Sequence, residues 1–214
     1  MNAPGLELLL AFADDEHLMG QQHTEWIGVA PFLEEDLAFS SIGQDELGHA
    51  VMLYEHVLAA RGVEATDAAV DQLAYRDADD YRSCALTEYV TTDWAEALVR
   101  HWLYDTMEAM RWDQLARSSD PALRDLAATA ARDEAFHRRH ADALLDRLLD
   151  DQAARERILV AVSALNPLLA SLVTPTSDTD GAIAAGLVDG SLADLATPLA
   201  GKVSARFGID AVYV

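Results

Sequence analysis

Cysteine and positive charge are both scarce in this chain of 214 residues. The single cysteine, Cys84, can close no internal disulfide and supply no thiolate zinc site. That fits a reducing, cytoplasmic setting and the role of a small buried hydrophobe. Only 15 Lys and Arg stand against 37 Asp and Glu, a formal charge of -22. Such a chain repels phosphate backbones and anionic bilayers, which argues against nucleic acid and membrane as partners. The apolar stretch Leu8 to Ala13 has no basic residue before it and is cut off by Asp14-Asp15-Glu16, so it reads as neither a signal peptide nor a membrane span. What remains, 51% hydrophobic and 24% charged, is the composition of a globular domain. A chain of this length buries about 70% of its unfolded surface without covalent staples.

Apolar residues recur with a period near 3.6 through the first 150 positions, and turn-forming clusters divide them into two hairpin-like halves. The pattern predicts one helix from Leu6 to Ile27, ended near Gly28, and a second from about Pro31 to Arg61, with Glu34, Glu35 and Asp36 at its positive end. Residues 62–83 are too many for a hairpin turn and suit a crossover along the outside of a bundle. A third helix is expected from Cys84 to Arg117. A fourth follows from Pro121 to Leu149, where Ser118-Ser119-Asp120-Pro121 supplies a cap beside an N1 proline. The tail holds three of the six prolines and five of the eleven glycines; it reads as a helix over Arg155 to Val173, a turn over Thr174 to Gly181 and one or two short helices. The expected architecture is all-α: a four-helix bundle over 1–150 with one long crossover, and a short helical C-terminal extension over 151–214 that covers the bundle or meets a second protomer.

Two stretches share a pattern found nowhere else in the chain, Asp45-Glu46-Leu47-Gly48-His49 on the second helix and Asp133-Glu134-Ala135-Phe136-His137 on the fourth. Chance supplies about 0.05 strings of the form D-E-x-x-H in a composition like this one. Residues three apart share a helix face, so each Glu and His can grip one metal ion. Both pairs lie on the apolar stripes, Glu46 and His49 with Ile42 and Leu53, Glu134 and His137 with Leu123, Ala127, Ala130, Ala141 and Leu144. Burying such groups unpaired costs several kcal/mol each, and a multivalent cation is the simplest compensation. Stepping about 15 residues to either side of each hairpin turn, at 1.5 Å per residue, sets Glu16 opposite Glu46 and Asp105 opposite Glu134.

Six ligands result: Glu16, Glu46, His49, Asp105, Glu134 and His137. This is the ferritin-like dinuclear arrangement, one acid from each of two helices and Glu-x-x-His from each of the others. Oxygen-rich ligation with two nitrogens selects two iron ions, with manganese as the alternative. Glu108, one turn beyond Asp105, is the rival for its place. Asp45 and Asp133 either brace the distal N–H of the ligand histidines or are ordinary solvated acids. His101 is either a satisfied core histidine or a group supporting Asp105. His23 lies about 10 Å along its helix from Glu16, beyond ligating reach. His17, His56 and His140 have no evident partner. Trp26, Trp94, Trp102 and Trp112 read as core, with Trp102 near enough to shape a pocket. Arg132, Arg138 and Arg139 form the one dense basic cluster, either a solvated face or a seat for an anion.

Over about residues 6 to 150 the chain resembles the phenylacetic acid degradation oxygenase family, the A-type and C-type subunits of phenylacetyl-coenzyme A epoxidase. The likeness to the C-type rests on Glu25-Trp26-Ile27-Gly28-Val29-Ala30-Pro31, on Leu33 to Ala38, and on Ser41-Ile42-Gly43-Gln44-Asp45-Glu46-Leu47-Gly48. The likeness to the A-type rests on Gln44-Asp45-Glu46-x-Gly48-His49, on Trp102-Leu103-x-Asp105, and on Glu134-x-Phe136-His137. The resemblance implies the same six ligands, a di-iron centre that activates dioxygen with electrons from an external reductase, and oxidation or epoxidation of an apolar or aromatic substrate held as a coenzyme A thioester. It also implies a homo-oligomer or a hetero-complex with a homologous subunit. Scaffold subunits of the family have generally lost part of the ligand set, whereas this chain keeps it. The rival readings are a non-catalytic structural subunit and a ferritin-like iron or peroxide handler.

Overall fold

Capping side chains set the starts of the later long helices in the computed structural model, which describes residues 5–174 and 179–210. Helix α1 (Leu6–Thr24) is followed by α2 (Leu33–Ala60), and the eight residues between them turn at Gly28, whose φ of 80° is open to glycine. Asp36 ties this turn down by accepting the backbone N–H groups of Gly28 and Ala30 at 3.0 and 3.2 Å. Helix α3 (Asp67–Ala74) lies in the crossover, capped by Thr66. A short α4 (Ala85–Glu88) precedes α5 (Trp94–Leu115), capped by Asp93, and α6 (Pro121–Asp150), capped by Asp120 with Pro121 in the first turn. The C-terminal part consists of α7 (Gln152–Leu165), α8 (Leu169–Val173), α9 (Thr179–Ala184) and α10 (Ala196–Phe207). No strand occurs among the described residues, and α1, α2, α5 and α6 form the ferritin-like bundle.

Three expectations need correction. The helix expected from Cys84 is broken at 89–93, where Val90, Thr91 and Thr92 disfavour helix and Asp93 restarts it by accepting the N–H of Glu96 at 2.9 Å. The first helix ends at Thr24, three residues before Ile27. Helix α7 starts at Gln152, before the expected Arg155, because Asp151 caps it. The turn expected over 174–181 falls mainly on 175–178, outside the described residues.

Helices α1 and α2 cross most closely at Gly20 and Gly43. A Cβ on Gly20 would sit 2.9 Å from the Gly43 carbonyl oxygen, and one on Gly43 would sit 2.9 Å from the carbonyl of Gly20. Below that crossing the core divides into two apolar clusters. One gathers Met19, Leu98, Trp102, Leu103, Ala141, Leu144 and the inner faces of α7 and α10. The other gathers Leu9, Phe12, Leu53, Val57, Trp112, Leu123 and Ala127. Glu16 on α1, and Glu134 and His137 on α6, fall between these two clusters. Residues 152–173 are long and apolar enough to cross a membrane by length and composition alone. The stretch is nonetheless interrupted at Asn166–Leu168, and Ile158, Ala161, Val162 and Leu165 bury their side chains in the first cluster.

The consecutive acids Asp14, Asp15 and Glu16 are all buried, and each has a different task. Asp14 anchors the crossover: it accepts the Tyr54 hydroxyl at 2.8 Å and the Arg82 N–H at 2.7 Å, and pairs with the Arg76 guanidinium. Asp15 anchors the start of α4 through the Cys84 N–H at 2.7 Å and the Thr87 hydroxyl at 2.9 Å, and pairs with buried Arg111 at 2.6 Å. Burial pushes the Cys84 thiol up to about 12, consistent with its role as a small buried side chain. Asp15→Ala would strand the Arg111 charge, a loss of about 3 kcal/mol in urea unfolding; an unchanged midpoint would show that the pair contributes nothing. Only Glu16 of the three turns to the bundle interior.

Candidate metal centre

Glu46 and His49 project from α2, and Glu134 and His137 from α6, into one space where all four side chains are almost wholly shielded from solvent. Glu16 of α1 and Glu108 of α5 complete the walls, both fully buried. One oxygen or nitrogen from each of Glu16, Glu46, His49 and Glu108 lies within 4.8 Å of the others, and the same holds for Glu46, Glu134 and His137. Glu46 belongs to both groups. The two imidazole rings are 6.4 Å apart between centres. His49 Nδ1 stands 3.3 Å from Glu16, 3.7 Å from Glu134 and 3.8 Å from Glu108. His137 Nδ1 stands 3.2 Å from Glu134 and 3.6 Å from Glu46.

These contacts are close without being aligned as hydrogen bonds. Both oxygens of Glu46 and of Glu134, Oε2 of Glu16 and of Glu108, and Nδ1 of both histidines have no hydrogen-bond partner among the described residues. Buried polar atoms are rarely left so, and these eight come together in one cluster of metal-compatible donors, while Asp105, His101 and His23 in the adjoining layer carry further unpartnered atoms. The remaining atoms are held from behind. Tyr104 donates its hydroxyl to Glu16 Oε1 at 2.6 Å, and Trp112 donates its indole N–H to Glu108 Oε1 at 2.7 Å.

The histidine braces are crossed between the motifs. Asp45, beside Glu46 on α2, meets His137 Nε2 of α6 at 3.2 Å, and Asp133 of α6 meets His49 Nε2 of α2 at 3.4 Å. A carboxylate at Nε2 places that proton outward and turns the Nδ1 lone pair inward, the orientation a metal ligand needs.

Electrostatics match a site built for cations. Burial, joined by the charges of neighbouring carboxylates, pushes Glu46 and Glu108 well above the usual carboxylate range, and burial also raises Glu134. Burial alone would raise Glu16 too, but contact with His49 and its charge bring it below its ordinary value. Burial disfavours a charged His137, yet contact with Glu134 and that group's charge lift it to about 9. With no cation present, protons stay in the cluster to offset its negative charge.

Asp105, expected among the ligands, belongs to neither group, although its charge is felt by Glu46, Glu108, Glu134 and His137. Its Oδ1 lies 3.0 Å from His101 Nδ1, and Glu108 stands in the place expected for it. His101 is therefore the partner of Asp105, in a buried aromatic layer with His23 and Phe39. His23 is buried with both ring nitrogens unpartnered, and burial followed by the neighbouring His101 keeps it neutral. The histidines without an evident partner acquire one: His17 meets Tyr81 at 3.0 Å, His56 meets Asp120 at 3.5 Å, and His140 meets Glu35 at 2.8 Å. Tyr104 was not singled out in the sequence; it precedes Glu108 by one helical turn, and no residue pattern marks it.

A sequence model of the phenylacetic acid catabolic protein family matches residues 2–207, nearly the whole chain. The chain belongs to that family. It is 32% identical over 142 residues to the C-type subunit of 1,2-phenylacetyl-CoA epoxidase from Escherichia coli (strain K12). Those residues are 65% of this chain and 55% of that protein, so the match spans little more than half of the curated relative's length. Both D-E-x-x-H motifs fall inside the region matched by the family.

Proposed function

We propose that the chain is a di-iron carboxylate oxygenase-like protein that activates dioxygen to oxidise or epoxidise an aromatic or apolar substrate. The observation carrying this reading is the set of unpartnered donors from Glu16, Glu46, His49, Glu108, Glu134 and His137, converging between two imidazoles 6.4 Å apart. They fit two ions, with Glu46 shared, and the donor set of four carboxylates and two imidazoles suits iron, or manganese, better than zinc or copper. A bound iron pair would supply the electrons and Lewis acidity for reducing dioxygen and passing one oxygen to carbon.

The chain's own residues prepare that chemistry. Asp45 and Asp133 fix the tautomer and aim of the histidines, Tyr104 and Trp112 immobilise one oxygen each of Glu16 and Glu108, and the two apolar clusters keep bulk water from the centre. In this reading residues 1–150 form the metal-binding bundle and 151–214 a helical extension on it. The protein works in the cytoplasm with an external reductase and, as the relative's designation as a subunit supports, in a complex with a homologous chain. That designation also favours a second reading, in which the chain chiefly holds a catalytic partner. Purified protein with about two irons per chain and oxygen uptake dependent on reduction supports the oxygenase; a metal-free chain that copurifies with a homologue supports the scaffold. Iron uptake far above two per chain would instead indicate storage.

The crossed braces give a graded test. Asp45→Asn and Asp133→Asn should each weaken metal affinity about tenfold while leaving the stoichiometry at saturation unchanged, as measured by competition with a chromophoric chelator. Unaltered affinity in both would mean that these carboxylates are ordinary solvated groups.

A further inference from the structure

Alanines on α5 and α6 leave an open cavity of about 710 Å³ beside the metal centre, flanked on one side by Lys202, Ala205 and Arg206 of α10. Its floor is apolar, with Trp102, Met110, Trp112, Ala127 and Ala131 among the lining residues, and its inner end reaches Glu134. Trp112 joins the cavity to the centre: it bonds Glu108, and its ring lies 5.5 Å from that of His49.

The rim carries three cations, Arg138 of α6 and Lys202 and Arg206 of α10. Arg206 is committed to Asp146 at 2.7 Å and to the Asp142 carbonyl at 2.8 Å. Arg138 bonds only a main-chain carbonyl through Nε, at 3.3 Å, and neither it nor Lys202, the one lysine in the sequence, has a carboxylate in ion-pair range among the described residues. The acids of the same wall are occupied. Asp113 pairs with Arg117, and Asp142 accepts the Trp102 indole N–H at 2.8 Å.

We propose that this cavity binds a flat apolar molecule with a single anionic head, an arylalkyl carboxylate, its ring on the tryptophan and alanine floor next to Glu134 and its carboxylate between Lys202 and Arg138. Two free cations match one carboxylate. The several phosphate charges of a coenzyme A thioester would instead meet Asp113, Asp142 and Asp146 in a chain of charge -22. Helix α10, which the sequence marks with no chemistry, thereby sets specificity. Calling the bound molecule a substrate rests on the di-iron reading; the binding itself requires no metal.

The test uses 2-naphthylacetate, its neutral analogue 2-naphthylethanol and the coenzyme A thioester of the same acid, titrated by calorimetry into metal-free and iron-loaded protein, with iron measured in every sample. The acid should bind both forms, about tenfold more tightly than the alcohol. Lys202→Ala should weaken the acid about fivefold and leave the alcohol unchanged, Lys202→Arg should restore the acid, and Ala131→Phe, which fills the cavity from an exposed helix position, should abolish both. Equal binding of acid and alcohol, tighter binding of the thioester, or no binding of any probe would each overturn the proposal. Loss of the acid with iron retained would refute the cavity assignment alone, whereas binding retained in protein that never takes up iron would refute the di-iron reading alone.

Discussion

Glu46→Ala should lower the metal content of the protein from about two ions per chain to almost none, the largest effect expected of any single substitution in the site. Glu46 is the one side chain common to both donor groups, and neither of its oxygens has another partner. Losing it deprives both positions at once, while Ile42, Ala50 and Leu53 on the same helix face continue to hold α2 in the core. Helix content measured by circular dichroism should therefore stay near that of the parent protein. His137→Ala should act similarly on the position it shares with Glu134. The informative pair is Asp105→Ala against Glu108→Ala: the former should keep its metal, the latter should lose most of it. The opposite result would return Asp105 to the ligand set.

Removing the metal should reverse the pH dependence of stability. In the metal-free protein His137 is raised to about 9 from an ordinary value of 6.5. A group raised in the folded state contributes stability that is fully present below its unfolded value and is lost as pH climbs through the folded one. Glu46, Glu108 and Glu134, raised mainly by burial, act in the same direction. Glu16, which is lowered, contributes in the opposite sense, but its losses occur as pH falls, below this window. The melting temperature of the metal-free protein should accordingly fall between pH 6.5 and 9, by roughly 5 °C or more. Metal displaces those protons, so the loaded protein should gain stability as its ligands deprotonate. At saturating metal it should melt about 10 °C above the metal-free form near pH 8. Parallel pH profiles with and without metal, followed by scanning calorimetry, would show that the cluster is not the seat of the ion.

Glu108, not Asp105, joins Glu16, Glu46 and His49 for a reason visible in the helix ends. Counting outward from each turn treats the two hairpins as alike, yet eight residues separate α1 from α2 and five separate α5 from α6. Measured from helix ends the repeat returns. Glu16 lies eight residues before Thr24 and Glu108 seven before Leu115, while Glu46 and Glu134 each lie thirteen after the first residue of their helices. The three-residue difference between the connections is the step from Asp105 to Glu108. The D-E-x-x-H pairs needed no such count, because a three-residue step on one helix fixes their common face whatever the connections do. The crossed braces were legible only as paired aspartates. Which histidine each one meets depends on how α2 and α6 lie against each other, which local spacing does not encode.

The same limit explains the C-terminal part. Its prolines and glycines predict short helices, and short helices are what form, but the packing of α10 beside Trp102 depends on long-range contacts such as that of Phe207 with Trp102, 5.1 Å between ring centres. Lys202 gains its significance from that packing alone. The break at 89–93 was readable in principle from Val90, Thr91 and Thr92 followed by Asp93, a β-branched run before a capping residue.

Anomalous diffraction at the iron edge from crystals of the iron-loaded protein bears most directly on the dinuclear centre. Two peaks are expected inside the bundle, one enclosed by Glu16, Glu46, His49 and Glu108, the other by Glu46, Glu134 and His137, with density from Glu46 reaching both. A single peak, peaks confined to the surface, or an ion held by Asp105 and His101 would contradict it.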